Sequence, residues 1–147
     1  MKVVIQRCQK ASVTVANKTI NEIKKGFMIL VGISNEDSNE DIDYLTRKIL
    51  NLRVFDDEKG IMNKSILDIQ GEILSISQFT LQAMTKDGNR PSYINAMKGE
   101  EANSLYEKFN TKLNEQIKTY PGMFGAEMQV MIVNDGPVTI IIDSKNK

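Results

Sequence analysis

The chain reads as an α+β fold: a single compact domain with a mixed or antiparallel, barrel-like sheet and two main helices packed on it. Three observations predict this. Short β-forming runs open and close the chain, two stretches of helical period lie between them, and the order is strands, helix, strands, helix, strands. No repeat, low-complexity segment or linker interrupts the 147 residues, so one domain over 1–147 is expected, large enough to bury a core without staples.

Residues 2–8 and 12–15 read as two strands, and a turn at Asn17-Lys18 leads into a third at 19–23. The run from Gly26 to Ile33 is continuously apolar, the pattern of a central strand buried on both faces. Ser38 has the chemistry of a helix N-cap, and Glu40 and Asp41 follow where the helix dipole favours negative charge. Ile42, Leu45, Ile49 and Leu52 then form one apolar helix face. Residues 53–55 suggest a short strand, and the acidic stretch at 56–60 a solvated turn. A strand is expected over 72–81, with Ile73 on one face and Leu74 and Ile76 on the other. The loop at 82–92 carries Lys86 and Arg90, near enough to the strand end to meet a phosphate. Residues 100–117 give the longer helix, with Ala102, Leu105, Tyr106, Phe109, Leu113 and Ile117 on its apolar face. Strands at 128–133 and 138–143 close the chain, separated by Asn134-Asp135-Gly136-Pro137 read as a turn.

Composition narrows the chemistry. Nineteen basic residues balance 19 acidic ones, so no global field draws the protein to nucleic acid or anionic membrane. No apolar run approaches the ~20 residues a membrane span needs. The first residues are too short and polar a run for a signal peptide. The single cysteine, Cys8, excludes an internal disulfide and suits a reducing compartment, so a cytoplasmic protein is expected. The count of histidines is zero, which removes Ser-His and Cys-His dyads, His-ligated zinc and imidazole bases together. An enzyme built from this chain works with carboxylates, hydroxyls, backbone dipoles or groups on its substrate. Cys8, on a strand with no His partner, fits a buried structural role better than a nucleophilic one.

Two segments depart from plain folding logic. Ser77-Gln78-Phe79-Thr80 is polar and aromatic where a core strand should stay apolar. Thr80 is the natural hydroxyl nucleophile but lacks a base; Gln78 with the Phe79 and Thr80 amides can instead hold an oxyanion. Phe79 either stacks on a base or packs in the core. Gly136-Pro137 is ordinary turn chemistry, or else a cis bond that presents rigid backbone acceptors to a ligand.

Together these segments resemble the D-aminoacyl-tRNA deacylase family over nearly the whole chain. The likeness starts at Val4-Ile5-Gln6-Arg7, runs through Leu52-Arg53-Val54-Phe55-Asp56-Asp57, Met62-Asn63 and Gly71-Glu72-Ile73-Leu74, and includes Gly88-Asn89-Arg90-Pro91-Ser92 and Phe124-Gly125-Ala126-Glu127-Met128. Its specific motifs are Ser77-Gln78-Phe79-Thr80-Leu81 and Asn134-Asp135-Gly136-Pro137-Val138-Thr139. The resemblance implies a homodimeric cytoplasmic hydrolase that removes D-amino acids, and wrongly charged glycine, from the acceptor end of tRNA without a cofactor or metal. It implies a cis Gly136-Pro137 inserted into the other subunit's site, holding the α-amino group and excluding an L side chain. Ser77, Gln78, Phe79 and Thr80 would line the pocket for the terminal adenosine and the ester. Arg7 would fix the Gly-Pro segment, and Met128 and Phe124 would stand near the adenosine. The substrate's vicinal ribose hydroxyl would help activate water, and Lys86, Arg90 and Lys64 would meet phosphates. Ile61, where the family often has lysine, Tyr120-Pro121, where threonine is common, and Cys8, where valine is usual, depart from the pattern. The rival readings are a noncatalytic tRNA-end binding protein with the same pocket, and a structural oligomer.

Overall fold

A computed structural model describes all 147 residues. Its elements are β1 (Lys2–Val15), β2 (Lys18–Ile23), β3 (Gly26–Gly32), α1 (Asn39–Asn51), β4 (Phe55–Asp56), β5 (Met62–Lys64), β6 (Glu72–Ser77), a 3₁₀ turn (Phe79–Gln82), α2 (Gly99–Asn114), β7 (Thr119–Pro121) and β8 (Gln129–Asp143). The α+β reading with two main helices holds.

The long first strand is the template for the sheet. β8 runs antiparallel along one edge of β1, from Lys2↔Asp143 to Thr14↔Gln129. Its opposite edge is shared by β3, paired from Lys2↔Gly32 to Cys8↔Gly26, and by β2, from Ala11↔Ile23 to Val15↔Lys18. β6 adds to β3 in parallel and β7 to β6, completing six strands. The sheet curls nearly closed: Asn21 on β2 donates its side-chain amide to the Pro121 carbonyl on β7 at 2.6 Å. One face packs against the helices in a core that includes Ile5, Phe27, Ile29, Leu45, Ile49, Ile73 and Phe109. The enclosed face holds Cys8, Ala11, Val13, Ile23, Met28, Leu74 and Ile76. β6 therefore divides its side chains as expected, Ile73 to one core and Leu74 and Ile76 to the other.

Helix α1 starts as its sequence dictates. The Ser38 hydroxyl accepts from the Glu40 N–H, and the Asp41 carboxylate accepts from the Ser38 N–H, a reciprocal cap. The hairpin joining β1 to β2 turns at Ala16 and Asn17, both with positive φ, the twist that suits a two-residue link.

Several boundaries differ from the sequence reading. Residues 2–8 and 12–15 form one strand, because β8 spans both on a single edge. The two closing strands are likewise one: β8 passes through Gly136-Pro137 without turning, and register shifts between Gln6 and Lys10 absorb the irregularity. The expected strand at 72–81 ends at Ser77, where its partner β3 runs out, and the chain folds into the 3₁₀ turn. The strand placed at 53–55 is Phe55–Asp56, paired with β5. Helix α2 stops at Asn114, whose side chain caps the Thr119 N–H at 3.0 Å, and Ile117 is buried beyond the helix end.

Candidate active site

The Ser77–Thr80 segment is built by the parallel pair β3–β6. Ser77 closes the ladder opposite Val31, and the Gln78 N–H adds one more bond to the Val31 carbonyl at 2.8 Å. The 3₁₀ turn then folds back over the end of β3. Only glycine fits beneath it: a Cβ on Gly32 would lie 2.7 Å from the Leu81 Cβ and 3.1 Å from the Gln78 carbonyl. Gln82 clamps the turn by donating to the Gly32 carbonyl at 2.9 Å. The amides of Phe79 and Thr80 head this turn, and neither finds an acceptor within the protein. The Gln78 side-chain amide donates to the Thr80 hydroxyl oxygen. No lysine, carboxylate or second hydroxyl hydrogen-bonds to Thr80, so nothing stands ready to take its proton. Phe79 projects outward, 56% exposed, and meets the Tyr93 ring edge-on with centroids 5.1 Å apart.

Phe124 and Met128 lie on the β7–β8 connection, beside β6. Phe124 packs at 5.8 Å on Tyr106, whose hydroxyl donates to the Ser75 carbonyl at 2.7 Å. Burial lifts the Tyr106 phenol above its ordinary pKa, so it serves as a neutral donor. The same carbonyl accepts from the Gly122 N–H at 2.7 Å, which ties the connection to β6. Met128 lies against Gly122, where a Cβ would stand 2.8 Å from its sulfur. Between α2 and this connection opens a cavity of about 380 Å³, lined in part by Tyr106, Asn110, Gly122 and Phe124. The Asn110 side-chain oxygen is buried without a protein partner.

The second motif lies elsewhere in the sheet. Gly136-Pro137 is a cis peptide bond, and Gly136 has φ +122°, a conformation that L side chains rarely adopt. Beneath it sits Arg7, 8% exposed. Its Nε donates to the Asp135 carbonyl at 3.2 Å, and its Nη1 to the Val54 carbonyl at 2.6 Å and towards Asp56 at 3.5 Å. On the outer face of β8, Met131, Val133 and Ile141 are exposed on either side of Gly136-Pro137. The order β8-β1-β3-β6 puts three strand spacings, roughly 14 Å along the sheet, between the Gly-Pro strand and the strand that ends at Ser77. Ser77, Gln78, Phe79 and Thr80 are contiguous at the end of β6, Phe124 and Met128 sit on the β7–β8 connection that Gly122 ties to β6, and Gly136, Pro137 and Arg7 form a separate cluster.

Other residues singled out by sequence have plain roles. Cys8 is buried against the Gly26 carbonyl, and burial pushes its thiol up to about 11, so it is no nucleophile. The acidic stretch is consumed locally: Asp56 faces Arg7, Asp57 caps the turn amides of Lys59 and Ile61, and Glu58 pairs with Lys64. Tyr106, Gly32 and Asn110 were not singled out for the site by sequence. Tyr106 was legible only as part of an apolar helix face, and Gly32 only as a strand boundary.

Residues 4–143 match the family model described as D-Tyr-tRNA(Tyr) deacylase. The chain belongs to the D-Tyr-tRNA(Tyr) deacylase family. It is 57% identical over 149 residues to the D-aminoacyl-tRNA deacylase of Flavobacterium psychrophilum, covering 100% of this chain and 99% of that one. Against the Bacteroides fragilis enzyme of the same name identity is 59% over 151 residues, with the same coverage. Among solved structures it resembles one titled "c-Myc DNA Unwinding Element Binding Protein", with TM-score 0.92 and 47% identity over 97% of this chain and 98% of that one. A probable eukaryotic D-amino acid tRNA deacylase shares the fold of this deacylase-family chain, with TM-score 0.81 at 17% identity over 96% and 97% of the two chains. No helix of the chain is long and apolar enough to cross a membrane.

Proposed function

We propose that this chain is a hydrolase that cleaves the ester of D-aminoacyl-tRNA, and of glycine mischarged on tRNA, to free amino acid and tRNA, sparing L-aminoacyl-tRNA. Family membership over the full chain supports the reaction class. The observation that carries the mechanism is the pair of unpartnered amides at Phe79 and Thr80, beside a threonine with no base. Water adds to the ester carbonyl, the developing oxyanion is met by these N–H groups, and the ribose oxygen leaves with a proton. Activation of the water falls to the substrate's vicinal hydroxyl, consistent with a chain that has no histidine. Gln78 and Thr80 orient the ester; Ser77, Phe79, Phe124 and Met128 border the terminal adenosine.

Two copies complete the site on this reading. Gly136 and Pro137 stand three strands along their own sheet from the strand that ends at Ser77, and they sit at the centre of the exposed apolar face of β8. That face is what a second copy would cover, delivering Gly136-Pro137 to the other copy's ester, where it holds the α-amino group and excludes an L side chain. Hydrolysis of matched D- and L-tyrosyl-tRNA by the purified protein, with and without EDTA, tests the proposal. Rapid loss of the D ester alone, unaffected by EDTA, is expected. Binding of tRNA with neither ester cleaved would instead favour a noncatalytic tRNA-end binding protein.

A further inference from the structure

We infer that Tyr93, with the exposed ring of Phe79 and the cations Lys86 and Arg90, forms a stacking platform for the unpaired nucleotides that precede the substrate's terminal adenosine. The inference rests on the proposed tRNA substrate and extends it past the pocket. Phe79 and Tyr93 meet edge-to-face at 73°, an arrangement that leaves ring face open for a base. Around them Met84 and Ile94 are 43% and 70% exposed, an apolar surface at the mouth of the Ser77–Thr80 segment. Lys86 and Arg90 project from the same loop, both exposed, and neither joins any of the chain's ion pairs. Aromatic faces beside unpaired cations suit single-stranded RNA: the bases stack without sequence preference and the phosphates meet the charges.

The platform is mounted firmly. Met84 and Ser92 exchange backbone hydrogen bonds of 2.8 and 3.0 Å, closing the loop that carries both cations. On the other side of Tyr93, the Asn35 N–H and side-chain amide bond the carbonyls of Asn95 and Ile94 at 3.0 and 2.9 Å, and the Met97 N–H bonds Ile33. Tyr93 is thus fixed to the end of β3, the strand that positions Ser77 and Gln78.

The test compares Tyr93→Ala, Tyr93→Phe and the Lys86→Ala/Arg90→Ala double variant on two esters, D-tyrosyl-tRNA and D-tyrosyl-adenosine. Tyr93→Ala should raise KM for the tRNA ester about ten-fold and leave the adenosine ester unchanged, while Tyr93→Phe behaves as wild type. The double variant should flatten the salt dependence of KM for the tRNA ester only. Equal losses on both esters would make Tyr93 merely a prop for Phe79 and overturn the inference, as would no change on either. A change in oligomeric state with Tyr93→Ala would assign the patch to a second copy and also overturn it. Should wild type cleave neither ester, the hydrolase reading fails by itself. The platform is then judged by binding an RNA hairpin with and without an unpaired 3′ tail, where only the tailed form should lose affinity in Tyr93→Ala.

Discussion

Arg7 and Asp135 are joined twice: the guanidinium Nε donates to the Asp135 backbone carbonyl at 3.2 Å and lies 3.3 Å from its carboxylate. The other arm of the same guanidinium reaches Val54 and Asp56, so one buried side chain spans β8 and the segment before β4. Lysine cannot make this fork. Arg7→Lys should cost about 1–3 kcal/mol in stability. Displacement of Gly136-Pro137 should lower kcat/KM on the D ester by roughly 10- to 100-fold. Urea melts and D/L hydrolysis assays check both; unchanged selection with reduced stability would confine Arg7 to folding.

Thr80 offers a second test. Its hydroxyl oxygen already accepts from Gln78 and has no base. Thr80→Ala should therefore retain activity within about ten-fold of wild type. Complete loss, with folding and tRNA binding intact, would point to covalent attack by Thr80.

Two glycines separate fold from site. A Cβ on Gly26 would stand 1.9 Å from the Glu72 carbonyl, backbone against backbone in the centre of the sheet. Gly26→Ala should cost more than about 4 kcal/mol and leave little folded protein. Gly32→Ala instead presses on Leu81 and the Gln78 carbonyl, moving the 3₁₀ turn. It should cost about 1–3 kcal/mol and reduce hydrolysis by roughly 100-fold. Circular dichroism melts alongside single-turnover rates distinguish the two.

Much of this was legible in the sequence, and the misses share a cause. Ser38-Glu40-Asp41 announced α1, and the apolar run at Gly26 announced the central strand, because caps and burial patterns are local. Asn134-Asp135-Gly136-Pro137 carries strong turn chemistry yet continues a strand, because β1 offers an unbroken partner edge and Arg7 grips the segment from below. The 3₁₀ turn after Ser77 was hidden for the converse reason: the strand ends because its neighbour ends. Partner length and cross-sheet anchors are tertiary facts that residue patterns do not display. Within the candidate site, the contiguous Ser77–Thr80 segment stands out in the sequence as polar where a core strand should be apolar, while Tyr106 looks like any core tyrosine.

Acid should weaken the fold through Asp41. Burial opposes ionisation of its carboxyl, but the Ser144 hydroxyl, Lys145 and the Ser38 N–H hold it well below the ordinary carboxylate range. A carboxylate depressed in the folded state contributes stability that is complete above its unfolded pKa, about 3.9, and is lost as pH falls through the folded value. Asp41→Asn should be less stable at neutral pH and show a shallower loss on acidification. Urea midpoints at about pH 7, 4 and 2.5 measure the difference.

The separation of Gly136-Pro137 from Ser77 within one sheet has a consequence for dose. On the proposed function an isolated chain carries the carbonyl-binding half of a site and the chirality filter of another, and neither half is an enzyme alone. Specific activity then becomes a function of concentration, rising with the fraction of chains that have met a second copy. Mixing an excess of chains defective at Gly136 with intact ones would leave each hybrid with one working site, so the number of working sites per intact chain would stay the same.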